Sequence, residues 1–507
     1  MAWRALVTLD TGPVYRFSTH DLDIVDVKTG DTLHFTGGIE IGSIPGNGEG
    51  EGSDCEIVIP QEILDWKTVR ASGINVGTIA AEVSLWQEGD DYAERDARLV
   101  GRVTASSEAR YDDRVELTIG AAEELSDRQF PPWTITREDF PDIDSGQVGK
   151  TIPIIYGNVK QMPLTPLSPA ANGATGPAGT SDWMIGYSAI SSTRIAVERG
   201  GNPDDTIAAT VGTTPAPKAG CAYSRVSLSA VDIFGMGQAT ADIAGKPGPG
   251  GAPITGLGDV VVDAIRSFSG LDNNRIDWRR LSRFQSQANR AIVSAIFGGA
   301  EPGPSLAQTL SARFGQDFPA RIGWRGGRLG ADWLSFDRDM PLHRPMRLGG
   351  DLLERVGKVG PWNEGELCSY FAVEYDHRIL SDRYLGRVTA EPGNDERCKT
   401  AASHLAAAGR PGGRVVYPTV GLPDIVDEAT ARLIIEWLVS VHAVPRTEAI
   451  YRCSTDLARF LPLYERYDLT DEEMGWTDVR FVLHAVKWDP EDLDLAELVF
   501  VSLGESP

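Results

Sequence analysis

Apolar and polar residues alternate at both ends of this 507-residue chain, and no other feature constrains its fold as strongly. Ala5, Val7 and Leu9 share one phase, as do Cys55, Ile57 and Ile59, and again Val115, Leu117 and Ile119. A period of two places such residues on one face of a strand. Leu367, Ser369, Phe371, Val373 and Tyr375 repeat the pattern near the C-terminus, followed by Val479, Phe481, Leu483 and Ala485. Each half also carries one stretch with helical spacing. Ile63, Trp66 and Val69 share a face in "PQEILDWKTV" (Pro60–Val69), and Ala431, Ile435, Leu438 and Val441 do so behind the cap candidate Asp427. One recipe, several alternating strands plus an amphipathic helix, is thus written twice. Turn-rich punctuation such as "IPGNGEGEGSD" between the strands predicts a sandwich or barrel over the first 125 or so residues. Its "GNGEGEG" lacks the Lys-Ser/Thr of a phosphate-binding loop and reads as a hairpin loop.

A chain of this length exceeds what one core organises. The fold class expected is mainly β with α+β elements, in four domains. The first runs over 1–148 and is β-rich. A middle β-domain over 149–256 contains "DWMIGYSAI", "TRIAVERG" and "YSRVSLSAV". A small α/β module over 257–335 places Val261, Ile265 and Phe268 at helical spacing. It offers Ser305 as N-cap and Gly315 as stop, and turns a hairpin at Gly326-Gly327. The fourth domain, 336–507, returns to strands and a helix. Between the first two stands "GKTIPIIYGN" (Gly149–Asn158), where Pro153 forbids interior ladder pairing and Gly157-Asn158 favours a turn. It reads as a structural joint, a strand that leaves one domain and pins the next.

Reactive groups are scattered. The seven His show no H-x-x-x-H or H-E-x-x-H spacing. In "STHD" the side chains of Ser18, His20 and Asp21 are sequence neighbours, whereas a triad needs them adjacent in space in distinct roles. Cys55, Cys221, Cys368, Cys398 and Cys453 form no C-x-x-C pair and read as free thiols, with Cys453 in a buried strand beside Tyr451 and Ala449. Carboxylates cluster in "DLTDEEMGWTD" (Asp468–Asp478) and "DPEDLDLAE" (Asp489–Glu497), but neither matches a calcium loop and such turns are usually solvated. No catalytic, cofactor-binding or metal-binding residue is assigned. No apolar run reaches the roughly 18 residues of a membrane span, and the N-terminus lacks the apolar core of a signal peptide. The net charge of −24 speaks against nucleic-acid binding, since counterion release needs clustered Lys and Arg. "DWRRLSR" (Asp277–Arg283) reads as one solvated helix face.

A large, β-rich, site-poor chain with an internal echo has the character of a building block. "GKTIPIIYGN", after "FPPWTITREDFPDIDSGQV", resembles a phrase of baseplate and tail-tip hub proteins of long-tailed, siphovirus-like bacteriophages and related gene transfer agents. The segment "YRFSTHDLDI" (Tyr15–Ile24) is similar too. So are the module "LGDVVVDAIRSFSGL…IDWRRL…GPSLAQTLSARFG…RGGRLGADW" and the C-terminal "TDLARFLPLYERYDLTDEEMGWTDVRFVLHAVKWD". The resemblance implies two tail-tube-like β-barrels per chain, in the first and fourth domains. It implies a homotrimeric structural virion protein at the distal end of the tail, assembled in the bacterial cytoplasm. Three chains would then present six barrels and join a six-fold tube to a three-fold tip. The partners implied are a distal tail protein or tail tube ring, a tape measure protein, and central tip or receptor-binding fibre proteins. Genome DNA would pass through without specific binding, and no membrane insertion is expected. Some hubs of this family hold an iron–sulfur cluster, for which the widely spaced cysteines give no support. The loops "EGEGSD" (Glu49–Asp54) and "DLTDEE" (Asp468–Glu473) are candidates for a negative channel wall. The alternative readings are a tail-associated, carboxylate-based wall hydrolase and a receptor-binding module.

Overall fold

Why the alternating segments at the two ends matter is plain from a computed structural model of the chain. The model describes every residue except 1, 43, 48–53, 65, 109–113, 122–128, 168–179, 188–191, 200–201, 208–209, 217–219, 230–235, 299–304, 316–317, 326, 338–339, 363–366, 379–381, 489–491 and 505–507. The N-terminal alternation builds a seven-stranded antiparallel sheet. Its order is Val14–Ser18, Trp3–Asp10, Ala80–Gln87, Asp96–Glu108, Arg114–Ala121, Cys55–Pro60 and Glu40–Ile41. Val7 pairs with Val83 and Leu117 with Ile57, so like faces meet across the ladder and Val7, Leu9, Ile57, Ile59, Val115, Leu117 and Ile119 bury one core. The helix is only Trp66–Ala71, shorter than expected. Pro60 is still in the ladder opposite Arg114, so the chain must turn before it can coil.

The expected closed barrel is an open sheet. Its edges are Val14–Ser18 and Glu40–Ile41, and no ladder joins them. After Ser18 the chain forms a separate hairpin, Leu22–Val25 with Thr32–Phe35, which buries Ile24 and Phe35 against Leu6 and Trp86. The chain then returns to the first edge: the Ser18 N–H donates to the Thr36 carbonyl at 2.9 Å, the Thr36 N–H to that of Arg16 at 3.0 Å and the Ile39 N–H to that of Ser18 at 3.4 Å, before Glu40–Ile41 begins.

The C-terminal sheet is also open. Leu342–Arg347, Arg466–Asp471, Trp476–Trp488, Leu495–Ser502, Thr447–Ser454 and Glu354–Pro361 follow one another, and only the first pair is parallel. Thr447, Ala449, Tyr451 and Cys453 are buried in strict alternation. Along Trp476–Trp488 a register shift between Leu483 and Ala485 changes the phase, so Val486 and Trp488 rejoin the face of Phe481 and Leu483. Phe371–Arg378, expected in the same barrel, instead forms a three-stranded sheet with Arg383–Ala390 and Val420–Gly421. The helix Glu428–His442 packs on that sheet, its first turn capped by Asp427 accepting from the Thr430 N–H at 2.8 Å. A second helix, Glu396–Ala407, adds to the single one expected in this part of the chain.

In the middle lie two four-stranded antiparallel sheets. One orders Asn158–Pro163, Met236–Ala244, Ser192–Arg199 and Asn202–Ile207. The other orders Thr165–Pro166, Thr180–Tyr187, Cys221–Ser229 and Thr210–Ala216. The helices Leu257–Phe268, Trp278–Ala288 and Leu306–Phe314 come next, then the hairpin Ala320–Arg325/Arg328–Trp333, with Gly327 at its turn. Ser305 caps the third helix by accepting from the Gln308 N–H at 3.3 Å.

Candidate functional site

The positions that do most for the molecule are junctions between its modules, and the first is "GKTIPIIYGN". Ile154 and Ile155 pair with Phe297 and Ile296 in a two-residue ladder. The flanking Tyr156 and Ala295 exchange backbone hydrogen bonds of 2.9 and 3.0 Å. Pro153 gives its carbonyl to the Tyr187 N–H at 2.7 Å, and Ile155 gives its own to Lys246 at 2.8 Å. The phrase therefore holds the middle sheets on one side and the helical module on the other. Gly157 has φ +74°, and a Cβ there would strike the Val293 carbonyl oxygen, so only glycine lets the two backbones meet. The Tyr156 hydroxyl donates to Asp263 Oδ2 at 2.6 Å, and Lys246 Nζ reaches the same oxygen at 2.6 Å. Burial, reinforced by the Asp263 charge, drives the Tyr156 phenol well above its ordinary pKa, so the donor stays protonated. A strand that pins the next domain is what the phrase forms.

The second junction corrects the solvated reading of "DWRRLSR". Arg280 and Arg283 lie three apart on one face of the helix Trp278–Ala288. Both turn inward to Asp332 on the hairpin, whose side chain is 2% exposed. Arg280 Nη2 sits 2.7 Å from Oδ2, Arg325 Nη2 3.0 Å from the same oxygen, and Arg283 Nη2 3.1 Å from Oδ1. Arg283 also reaches Glu465 at 2.9 Å, tying the module to the C-terminal sheet. Burial alone would raise the Asp332 carboxyl, but Arg280 and Arg325 outweigh it and hold it below the usual carboxylate range. Arg325, buried and beside Arg280, is pushed down to about 10.

The third junction joins the ends of the chain. Ile44–Asn47, read as part of a hairpin loop, pairs antiparallel with Trp476–Trp488, Trp488 facing Ile44 and Val486 facing Asn47. Trp3, Ala5, Ile44 and Leu85 of the N-terminal half share a core with Tyr451, Phe481, Leu498 and Phe500 of the C-terminal sheet. The Trp3 N–H donates to Asp494 Oδ1 at 2.8 Å, and the Arg98 guanidinium lies 4.1 Å from the Trp488 ring centre. The two echoed sheets thus form one continuous apolar body.

The carboxylate cluster at 468–478 is engaged within the fold. Asp468 pairs with Arg466 at 2.7 Å. Asp471 is 1% exposed at its side chain and accepts from Tyr451 at 2.8 Å and Arg355 at 2.7 Å. Glu472 and Glu473 pair with Arg347 and Arg355. The turn is compensated by cations rather than simply solvated, which weakens it as a negative channel wall. Glu49–Ser53 and Asp489–Glu491 lie outside the described residues. In "STHD", Ser18 is buried, Asp21 accepts from the Gly37 N–H at 2.7 Å and His20 Nδ1 lies 3.0 Å from Thr19. All five cysteines are free, Cys221 half-buried and the others buried. Burial pushes the thiols of Cys55, Cys398 and Cys453 up to about 12 and that of Cys221 to about 11. Among the described residues no group of three His, Cys, Asp or Glu is placed to hold a metal ion, and no helix is long and apolar enough to cross a membrane.

No protein-family model matches the chain, and no curated protein does. Solved structures do resemble it. The tail protein from Neisseria meningitidis MC58 aligns over 99% of this chain and 97% of its own, at 9% identity and a TM-score of 0.40. The 43 kDa tail protein of prophage MuSo2 from Shewanella oneidensis aligns over 99% and 98%, at 11% identity and a TM-score of 0.35. The virion of a native gene transfer agent particle contains a chain aligned over 71% of this one and 86% of itself, at 13% identity and a TM-score of 0.44. The chain's structural neighbours are therefore tail proteins and a virion component. Likeness at this level does not by itself carry a role from one chain to another.

Proposed function

We propose that the chain is a structural virion protein, a homotrimeric hub at the distal end of a long, non-membrane-inserted tail. The observation that carries the reading is the fusion of two seven-stranded sheets into one apolar body, locked by the strand Ile44–Asn47 in the C-terminal sheet. A rigid pair of like modules is what one subunit needs if three copies are to face six positions of a tube. Closed rotational symmetry is the usual solution for such assemblies. The sequence resemblance to tail-tip hubs points the same way. In this reading the sheet edge Leu342–Arg347, which has no outer neighbour in its sheet among the described residues, meets a neighbouring subunit or a tube-side ring. A distal tail protein or tube ring binds one face, the tape measure protein ends at the centre, and tip or fibre proteins follow distally. DNA passes through a ring whose overall charge, −24 per chain, gives phosphates little to hold. The paired states of Asp468 and Asp471 fit a structural use of these carboxylates better than a hydrolytic one. Gold labelling of an affinity-tagged chain in purified particles tests the placement: label at the distal tail end is expected, and label on the capsid or absent from particles overturns it.

A further inference from the structure

The C-terminal sheet carries a knob on one face and a hole on the other. Alternation along Leu495–Ser502 sends Leu498 and Phe500 to the core shared with Ala458 and Leu461, and sends Val501 to a second cluster with Phe336 and Leu503. On the first face, the segment after Thr455 presents Phe460, which is 70% exposed. Single exposed apolar residues are ordinary; this one has a charged companion. The Arg459 guanidinium lies between two rings, 4.6 Å from Phe460 and 5.1 Å from Trp3, and makes no ion pair among the described residues. On the opposite face a cleft of 740 Å³ opens beside the helix Glu428–His442. Its walls include Trp333, Phe336, Leu433 and Trp437, the last two half-buried and one helical turn apart. Between them on the rim stands Glu436, exposed and in no ion pair among the described residues, close enough to Arg397 for their charges to interact, although Arg397 and Arg432 are themselves paired with Asp395 and Glu428. Arg290 stacks over Trp333 at the other wall, and Arg446 is held by the carbonyls of Ser440 and Ser502.

We infer that the occupant of this cleft is Phe460 of a second copy of the chain, with Arg459 of that copy pairing with Glu436. An aromatic knob beside a cation in no ion pair matches an aromatic hole beside a carboxylate in no ion pair, each counted among the described residues. Aromatic and Arg anchors seated in desolvated pockets carry most of the energy of protein interfaces. Because knob and hole lie on opposite faces of one sheet, they cannot meet within a chain. Between copies they make a head-to-tail contact, which closes into a ring when the rotation allows. The inference rests on the trimeric reading above and names the contact that would close it.

Sedimentation velocity on the full chain tests it, with Phe460→Ala, Arg459→Glu, Glu436→Arg and the double charge swap in one chain. Phe460 and Glu436 are exposed and Arg459 is half-buried, and circular dichroism checks that each of the four variants folds. Phe460→Ala is expected to raise the concentration of half-dissociation of the trimer by about 30-fold or more. Each charge reversal should weaken the trimer, and the double swap should restore it. A trimer whose midpoint ignores Phe460→Ala and whose charge variants show no rescue overturns this contact while leaving the trimeric hub standing. A wild-type chain that stays monomeric at every concentration overturns both.

Discussion

Asp332 is the residue on which the most buried charge depends. Removing its charge leaves Arg280, Arg283 and Arg325 facing one another with no compensating anion at the centre. Breaking a buried ionic group from one side typically costs about 3–5 kcal/mol. Asp332→Asn should lower the urea midpoint of the transition that includes the helical module by an amount of that order, and an unchanged midpoint would contradict the assignment. The pH dependence has a definite sign. The folded carboxyl is held below its ordinary value, so its stabilisation is full above the unfolded value of about 3.9 and is lost as pH falls through the lower folded value. The gap between wild type and Asp332→Asn should therefore narrow only below about pH 4. None of this cluster was legible locally. Arg280 and Arg283 show a charged helix face in sequence, and their partner lies on a hairpin about fifty positions on, where only the packed fold brings it within reach. Cys453 is the opposite case: a period of two with Tyr451 and Ala449 decides burial within a few residues, and the strand obeys it.

Among elements, the joint Gly149–Asn158 was readable because its constraints are backbone constraints. Pro153 and Gly157 announce an interrupted strand and a left-handed turn whatever their neighbours. The element it pairs with, Ile296–Phe297, carries no such mark. Gly157→Ala adds a Cβ in a left-handed conformation against the Val293 carbonyl, a combined cost of about 2–4 kcal/mol. Hydrogen exchange at the Tyr156 and Ala295 amides should accelerate by about two orders of magnitude in that variant. Protection equal to wild type would show that the joint is not under this steric control. Ile44–Asn47 has the Pro and Gly of a loop, and its strand conformation is imposed by the end of an interior strand, Trp476–Trp488, more than four hundred residues away. The helix Glu396–Ala407 carries local marks in the sequence as well. Its cap Asp395 and the buried series Cys398, Ala401 and Leu405 carry the usual spacing.

At the scale of the molecule, the internal echo survives as two open sheets in one fused body instead of two closed barrels. Closure is a property of edges, and alternation says which face is buried without saying whether the last strand finds the first. Edges left open in a chain are surfaces for other chains, which is why the account places them at subunit boundaries. The charge balance adds a second expectation. With −24 per chain and the cations of the 468–473 turn already paired, the assembled protein should not retain duplex DNA at physiological salt, and tight retention in a filter or gel assay would contradict a passage role. The most direct test is a reconstruction of the tail tip of particles carrying this chain, calculated without imposed symmetry. The account predicts three copies around the tail axis, each placing its two sheets at adjacent positions of a pseudo-six-fold ring against the tube. A tip in which the chain is missing, or present in six equivalent copies each facing the tube with one sheet, would contradict it.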